Sequence, residues 1–290
     1  MLYYGAGDPI KRMFQDMEQG GMEVDEVTLE ALREKYGLND TLAVQFSTYL
    51  RNLARGELGM SIREKRSVTD MVMARIPISF QIGLVSTLLS VLIGIPLGVL
   101  ASLYHNRWLD QFIVSSGVFV NAIPIFVTGP ILMLFLVVGL GIMNVPFGWK
   151  GIFHSQVILP VIVLALGPLP ILIRQTRAAM LEVMGEEYVR TARAKGMPER
   201  LVIGRHMLRP VLTPVITSAG LILISVVNGA IFVEIIFGIP GLGQLTKKGI
   251  DTIDYPVIMG TALVGAVIAM AGNLLVDLIY PLLDPRVTRQ

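Results

Sequence analysis

The densest chemistry in this 290-residue sequence is the charged stretch Glu182-Val-Met-Gly-Glu-Glu-Tyr-Val-Arg-Thr-Ala-Arg-Ala-Lys-Gly-Met-Pro-Glu-Arg200. Glu186 to Lys195 holds good helix formers and neither Gly nor Pro. Acidic residues open it and basic ones close it, an order that complements a helix dipole. Gly196 suits a C-cap and Pro198 stops continuation, so the residues predict a short charged helix. Ala192, Ala194 and Gly196 are small enough for another surface to approach closely. On these residues alone two readings stand: a loop whose positive charge only fixes topology, or a docking surface.

Other reactive patterns are sparse. There are no cysteines, which excludes disulfides, thiolate metal sites and Cys nucleophiles. His105, His154 and His206 are far apart, with no HExxH, and no GxxxxGK[ST] phosphate loop is present. His206 reads as a loop residue beside the basic cluster. A few polar residues interrupt apolar runs, and such residues are functional candidates by default. Asn121, Asn228 and Glu234 are the candidate pathway-lining residues. Each also has a structural reading: Asn121 can satisfy backbone at the Pro124 kink, and Glu234 borders the outer water. Asn273 and Asp277, at i and i+4, suit capping or ion pairing. Gly260, Gly265 and Gly272 suit close helix packing.

The elements that must carry these residues are membrane helices. Hydrophobic residues make up 53% of the chain and charged ones 16%, against roughly 25% in soluble domains. Five uncharged runs reach the length of about 20 residues that a bilayer crossing needs: Ile76–Asn106, Gln111–Trp149, Gly151–Ile173, Pro210–Val233 and Tyr255–Val276. The second is one span plus a re-entrant or surface tail near Pro146–Trp149. Pro124, Pro160, Pro168 and Pro170 are expected as kinks. The fold class is therefore all-α, a polytopic membrane protein with five transmembrane helices.

Short-loop Lys and Arg orient it. Arg107, Arg174, Arg177, Arg190, Arg193, Lys195, Arg200, Arg205, Arg209, Arg286 and Arg289 put 11 charges on one side, against Lys150, Lys247 and Lys248 on the other. The first side is cytoplasmic, and the C-terminus lies inside. Residues 1–75 form an external segment and 76–290 the transmembrane domain, with a cytoplasmic loop at about 181–210. The external segment holds 10 Lys/Arg and 12 Asp/Glu. Val27, Leu29, Leu32 and Tyr36 predict a short helix stopped at Gly37. Asp40 is expected to cap a second helix with Leu42, Phe46, Tyr49, Leu50 and Leu53 on its apolar face, ended by Gly56. The segment reads as a lid on the bundle, as a docking surface, or as both. The chain opens without an apolar leader, so the expectation is that a transmembrane helix precedes this sequence.

Tyr188-Val-Arg-Thr-Ala-Arg-Ala-Lys-Gly196, followed by Arg205-His-Met-Leu-Arg-Pro210, resembles the EAA loop of binding-protein-dependent ABC permeases. The wording is closest to the dipeptide, oligopeptide and nickel branch. Gly7-Asp-Pro9, Tyr36-Gly-Leu-Asn-Asp40, Gln45 to Leu53, Gly56-Glu-Leu-Gly59 and Ile93-Gly-Ile-Pro-Leu-Gly98 are similar to the same branch. So are Glu234-Ile-Ile-Phe-Gly-Ile-Pro-Gly-Leu-Gly-Gln244 and Leu283-Asp-Pro-Arg286. Arg190-Thr191 stand where the general motif has Glu-Ala, a variation of the peptide branch. The resemblance implies a type I ABC importer permease architecture, which has six spans in the family and lacks the first here. It implies that Arg190, Thr191, Ala192, Arg193, Ala194, Lys195 and Gly196 form a coupling helix docked on an ATPase. No catalytic residue, metal or cofactor belongs to this chain on that reading, with ATP and Mg on two partner ATP-binding subunits. A homologous second permease, an external solute-binding protein and the lipid bilayer complete the partners, with no nucleic acid. The location is a bacterial or archaeal cell membrane, and the solute is a di- or oligopeptide or a relative such as nickel.

Two other classes make different demands on the sequence. A secondary transporter or channel working alone predicts inverted repeats or midplane ion ligands. No such repeat is visible, and acidic residues are absent from the span centres. A membrane enzyme needs a nucleophile–base or metal constellation, and none is visible. Co-purification with an ATPase separates the first class from both.

Overall fold

The computed structural model describes residues 40–283, and these are almost entirely helical. The helix expected at Val27–Tyr36 and the motifs at Gly7–Pro9 and beyond Leu283 lie outside the described residues. Helix α1 is Leu42–Ala54, α2 Val68–Met73, α3 Ile76–Leu103, α4 Trp108–Ala122, α5 Ile125–Met133, α6 Ile158–Leu166 and α7 Leu169–Met184. There follow α8 Glu187–Ala194, α9 Glu199–Leu201, α10 Leu208–Gly229, α11 Ile231–Ile236, α12 Leu242–Asp251 and α13 Tyr255–Leu283. Wide π turns close α5 at Leu134–Gly139 and precede α10 at Val202–Met207.

Among the described residues, three continuous helical stretches are long and apolar enough to cross a membrane: Val68–Leu103, Glu199–Val227 and Tyr255–Leu278. The count reaches five when each of two bent pairs is one span. One pair turns by 99° between α4 and α5, where Pro124 starts the second helix. The other turns by 51° at Gly167-Pro168, between α6 and α7. The long run from Gln111 is thus broken in its middle, at Pro124. The third run continues helically past Arg174 to Met184, well beyond its apolar part.

The chain divides into two compact units. One joins residues 40–78 with Gln244–Ala266. Thr41 rather than Asp40 occupies the N-cap of α1, and Gly56 ends the helix at φ +79°. The centre of this unit is Asp254, which is buried. Its carboxylate accepts from the Ser61 hydroxyl at 2.5 Å and from the backbone N–H groups of Ile62 and Arg63, both at 3.2 Å. Arg63 also donates from Nε to the Thr252 carbonyl at 3.2 Å. One carboxylate thereby holds the hairpin at residues 59–67 against the turn that precedes α13.

The other unit comprises Ser79–Gly243 and the chain from Val267. Its helix α3 turns mainly small residues inward. The buried face of α3 holds Ser79, Gly83, Ser86, Thr87, Ser90, Gly94, Gly98, Ala101 and Ser102, with Ile82 its one large apolar residue, while Leu88 and Leu92 are 57% and 71% exposed. Water would drive the opposite arrangement. In a bilayer the outward leucines lose nothing, and small inward residues let helix backbones approach closely. A Cβ on Gly98 would lie 2.5 Å from Thr176 Cβ and 2.7 Å from the Ile173 carbonyl oxygen. The Ser90 hydroxyl donates to the Ala165 carbonyl at 2.7 Å, and Gln175 donates to the Ser218 hydroxyl at 2.6 Å.

Candidate functional site

Helix α8 begins after an extended Glu186, with Glu187 in its first turn and Arg193 in its last. Both placements favour the helix dipole. Gly196 then takes φ +75°, a left-handed conformation that side chains resist. Its N–H donates to the Arg193 carbonyl at 2.9 Å, and the Met197 N–H reaches back to Ala192 at 3.3 Å. Pro198 prevents any further winding. The helix and its stop follow from local chemistry, as the sequence predicted.

Val189 and Ala192, three residues apart, are buried. They turn α8 onto the segment Val202–Met207, whose end residues are also buried. Arg190, Thr191, Arg193, Ala194, Lys195 and Gly196 are exposed. A Cβ at Gly196 would meet nothing within 4 Å. Of the seven residues predicted to dock, Ala192 thus backs the helix and six face outward.

The outward charges are not equivalent. Arg193 forks onto Glu199, Nη2 to Oε1 at 2.6 Å and Nε to Oε2 at 3.2 Å, across the Gly196–Pro198 turn. That hydrogen bond holds the guanidinium even further above its ordinary value. Arg190 and Lys195 have no ion-pair partner among the described residues. Behind them the chain runs as a π turn, a form over-represented at functional sites. His206 sits in that turn, with Nε2 buried and without a hydrogen-bond partner among the described residues.

The residues inside the apolar helices separate in the same way. Asn121 is exposed near the end of α4, one turn before Pro124. Asn228 lies on α10, and its side chain is outside the described part. Glu234 is fully buried. Its Oε1 accepts from the Ser79 hydroxyl at 2.6 Å and its Oε2 from the Gly243 N–H at 2.7 Å. The same Ser79 oxygen accepts from the Leu242 N–H at 2.8 Å. A Cβ on Gly241 would lie 2.1 Å from Glu234 Oε1, so only glycine admits this arrangement. Asn273 and Asp277 are exposed on α13.

A third buried carboxylate, like Asp254, is not marked by any motif in the sequence. Asp110 is 2% exposed and grips Arg177 with both oxygens, at 2.6 Å to Nε and 2.7 Å to Nη2. It also accepts from the Asn106 N–H at 2.9 Å, and Arg177 Nη2 lies 3.0 Å from His105 Nδ1. In the sequence Arg177 reads only as a topogenic charge. The available signal was a lone acid at the lip of a long apolar run.

Described residues that are helical throughout their ordered elements, with up to five spans and an exposed basic helix set in a connection, define a polytopic membrane protein. Solved structures of that class share its fold. A chain of the MetNI methionine ABC transporter aligns over 72% of this chain and 96% of its own, at TM-score 0.57 and 20% identity. A chain of an amino acid ABC transporter aligns over 73% and 94%, at TM-score 0.55 and 15% identity.

Residues 94–289 match the family described as binding-protein-dependent transport system inner membrane component, and the chain belongs to it. It is 39% identical to the oligopeptide transport system permease AppB of Bacillus subtilis, covering 97% of this chain and 90% of that one. It is 38% identical to the dipeptide transport system permease DppB of Bacillus subtilis, covering 93% and 86%. With the oligopeptide transport system permease OppB of Salmonella typhimurium it shares 36% over 89% and 85%. The chain is therefore a multi-pass permease of the cell membrane, a transport component rather than an enzyme. ATP is bound by a partner ATPase, and a solute-binding protein is a further partner.

Proposed function

We propose that this chain is one of two homologous permease subunits in an importer of di- or oligopeptides, driven by two ATP-binding subunits and fed by an external binding protein. The relatives above are all named for oligopeptide or dipeptide transport, which favours peptides over nickel. The excess of positive charge in the loops around α8 supports a cytoplasmic position for that helix and for the C-terminus. Residues 1–75 then lie outside, toward the binding protein, and residues 76–290 form the membrane domain.

The observation that carries the coupling assignment is the outward face of α8. Arg190, Thr191, Arg193, Ala194, Lys195 and Gly196 dock in a groove of the ATPase, while Ala192 seats the helix on its own bundle. Closure of the ATPases moves α8 as a rigid element and switches the bundle between two packed states. Asn121 and Asn228 remain pathway-lining candidates. Burial and complete engagement of the Glu234 carboxylate favour a structural role for it over solute contact.

The test is uptake of labelled dipeptide, tetrapeptide and nickel by vesicles holding the full transporter. Peptide uptake that requires every subunit is expected. Nickel uptake without peptide uptake overturns the solute. With Gly196→Trp, ATP hydrolysis should persist while uptake per ATP falls, and unchanged uptake overturns the docking assignment.

A further inference from the structure

The Asp110–Arg177 pair lies two turns before the end of α7, and only Gly185 and Glu186 separate that end from α8. Any displacement of α8 therefore enters α7 directly. Three helices meet beneath the pair. Ala101 of α3, Ile113 of α4 and Ile173 of α7 form one buried cluster. Glycines bring the backbones together: a Cβ on Gly94 would lie 2.9 Å from Leu172, and one on Gly117 would lie 3.2 Å from Pro170. A two-pronged carboxylate–guanidinium fork has a set direction and register. A buried ion pair adds little stability over apolar packing, whereas removing one partner leaves an uncompensated charge. Its useful property here is geometric.

We infer that Asp110 and Arg177 are positioning residues that lock α4 to α7, so that α3, α4 and α7 move as one body with α8. The inference rests on the coupling role of α8. The fork carries the stroke of α8 into α4, and through α4 to the 99° bend at Pro124. Asn106, at φ +60°, donates its N–H to Asp110 and completes the clamp at the tip of the α3–α4 turn.

The experiment uses the assembled transporter, and the absence of native cysteines in this chain simplifies it. Spin labels at Gln111→Cys and Ala178→Cys, both exposed, report the α4–α7 distance. One distance distribution, identical without nucleotide and with ATP trapped, is expected. With Asp110→Asn the distribution should broaden and uptake per ATP fall at least about fivefold, the lower end of typical coupling between sites. Arg177→Lys keeps the charge but loses the fork and should behave alike. The exchanged pair, Asp110→Arg with Arg177→Asp, should recover part of the loss. A distance that shifts between states in the unaltered pair overturns the inference, as does parental uptake per ATP in Asp110→Asn. Failure of both single variants to assemble makes the pair a folding determinant only, and also overturns it. A photo-crosslinker on Ala194→Cys reports the ATPase contact separately. Its failure in the otherwise unaltered chain rejects the role of α8, while the label distances still judge the lock.

Discussion

Ser79 and Glu234, 155 residues apart in sequence, share a buried 2.6 Å hydrogen bond. The bond joins the start of α3 to α11, and the second carboxylate oxygen pins Gly243 at the start of α12. Glu234→Ala leaves at least the Ser79 hydroxyl and the Gly243 N–H without this acceptor. Losses of about 1–3 kcal/mol for each of these two orphaned groups make a total of about 2–6 kcal/mol the expectation. Glu234→Gln retains an acceptor and should cost less. Thermal unfolding of the purified protein in detergent checks the order; equal stability of the alanine variant and the parent would contradict it.

Two glycines should fail for different reasons. Gly98→Ala drives a methyl into Thr176 and the Ile173 carbonyl, an overpacking that costs about 1–3 kcal/mol. Gly196→Ala meets open space but must hold φ +75°, at about 1–2 kcal/mol. Gly204 has open space and no left-handed backbone, so Gly204→Ala should stay within about 0.5 kcal/mol. Unfolding temperatures of the three variants test the ranking.

Acid should release one tie in the first unit. Lys248 donates to Glu64 at 2.5 Å, and this hydrogen bond holds the Glu64 carboxyl below its ordinary value. A lowered folded value means that the stabilisation is present above the unfolded pKa. It is lost as pH falls through the folded one. The Glu64 side chain is a quarter exposed and its partner more so, which limits the worth to less than about 1 kcal/mol. Lys248→Met should therefore be slightly less stable than the parent at neutral pH and equally stable once Glu64 is protonated. Melting curves across that range would show the gap close, and a gap that widens in acid would contradict the assignment.

Much was legible in the sequence where the cause is local. The apolar runs marked the spans because a bilayer crossing requires length and freedom from charge, whatever the neighbours are. The helix at Glu187–Ala194 and its stop at Gly196 were readable because dipole order, a glycine and a proline act within one turn. The tertiary structure decided which polar residues meet. Asp110 and Arg177 are 67 residues apart, and no local pattern names either as the other's partner. Glu234 looked like a residue at an outer boundary until Ser79 and Gly243 enclosed it. It also separated the prolines: Pro124 introduces a 99° turn, while Pro96 stays inside one continuous helix. Spans and caps obey short-range chemistry and the solvent, so the sequence by itself determines them. Pairing across helices depends on which small residues let which backbones approach, and only the packed bundle settles that.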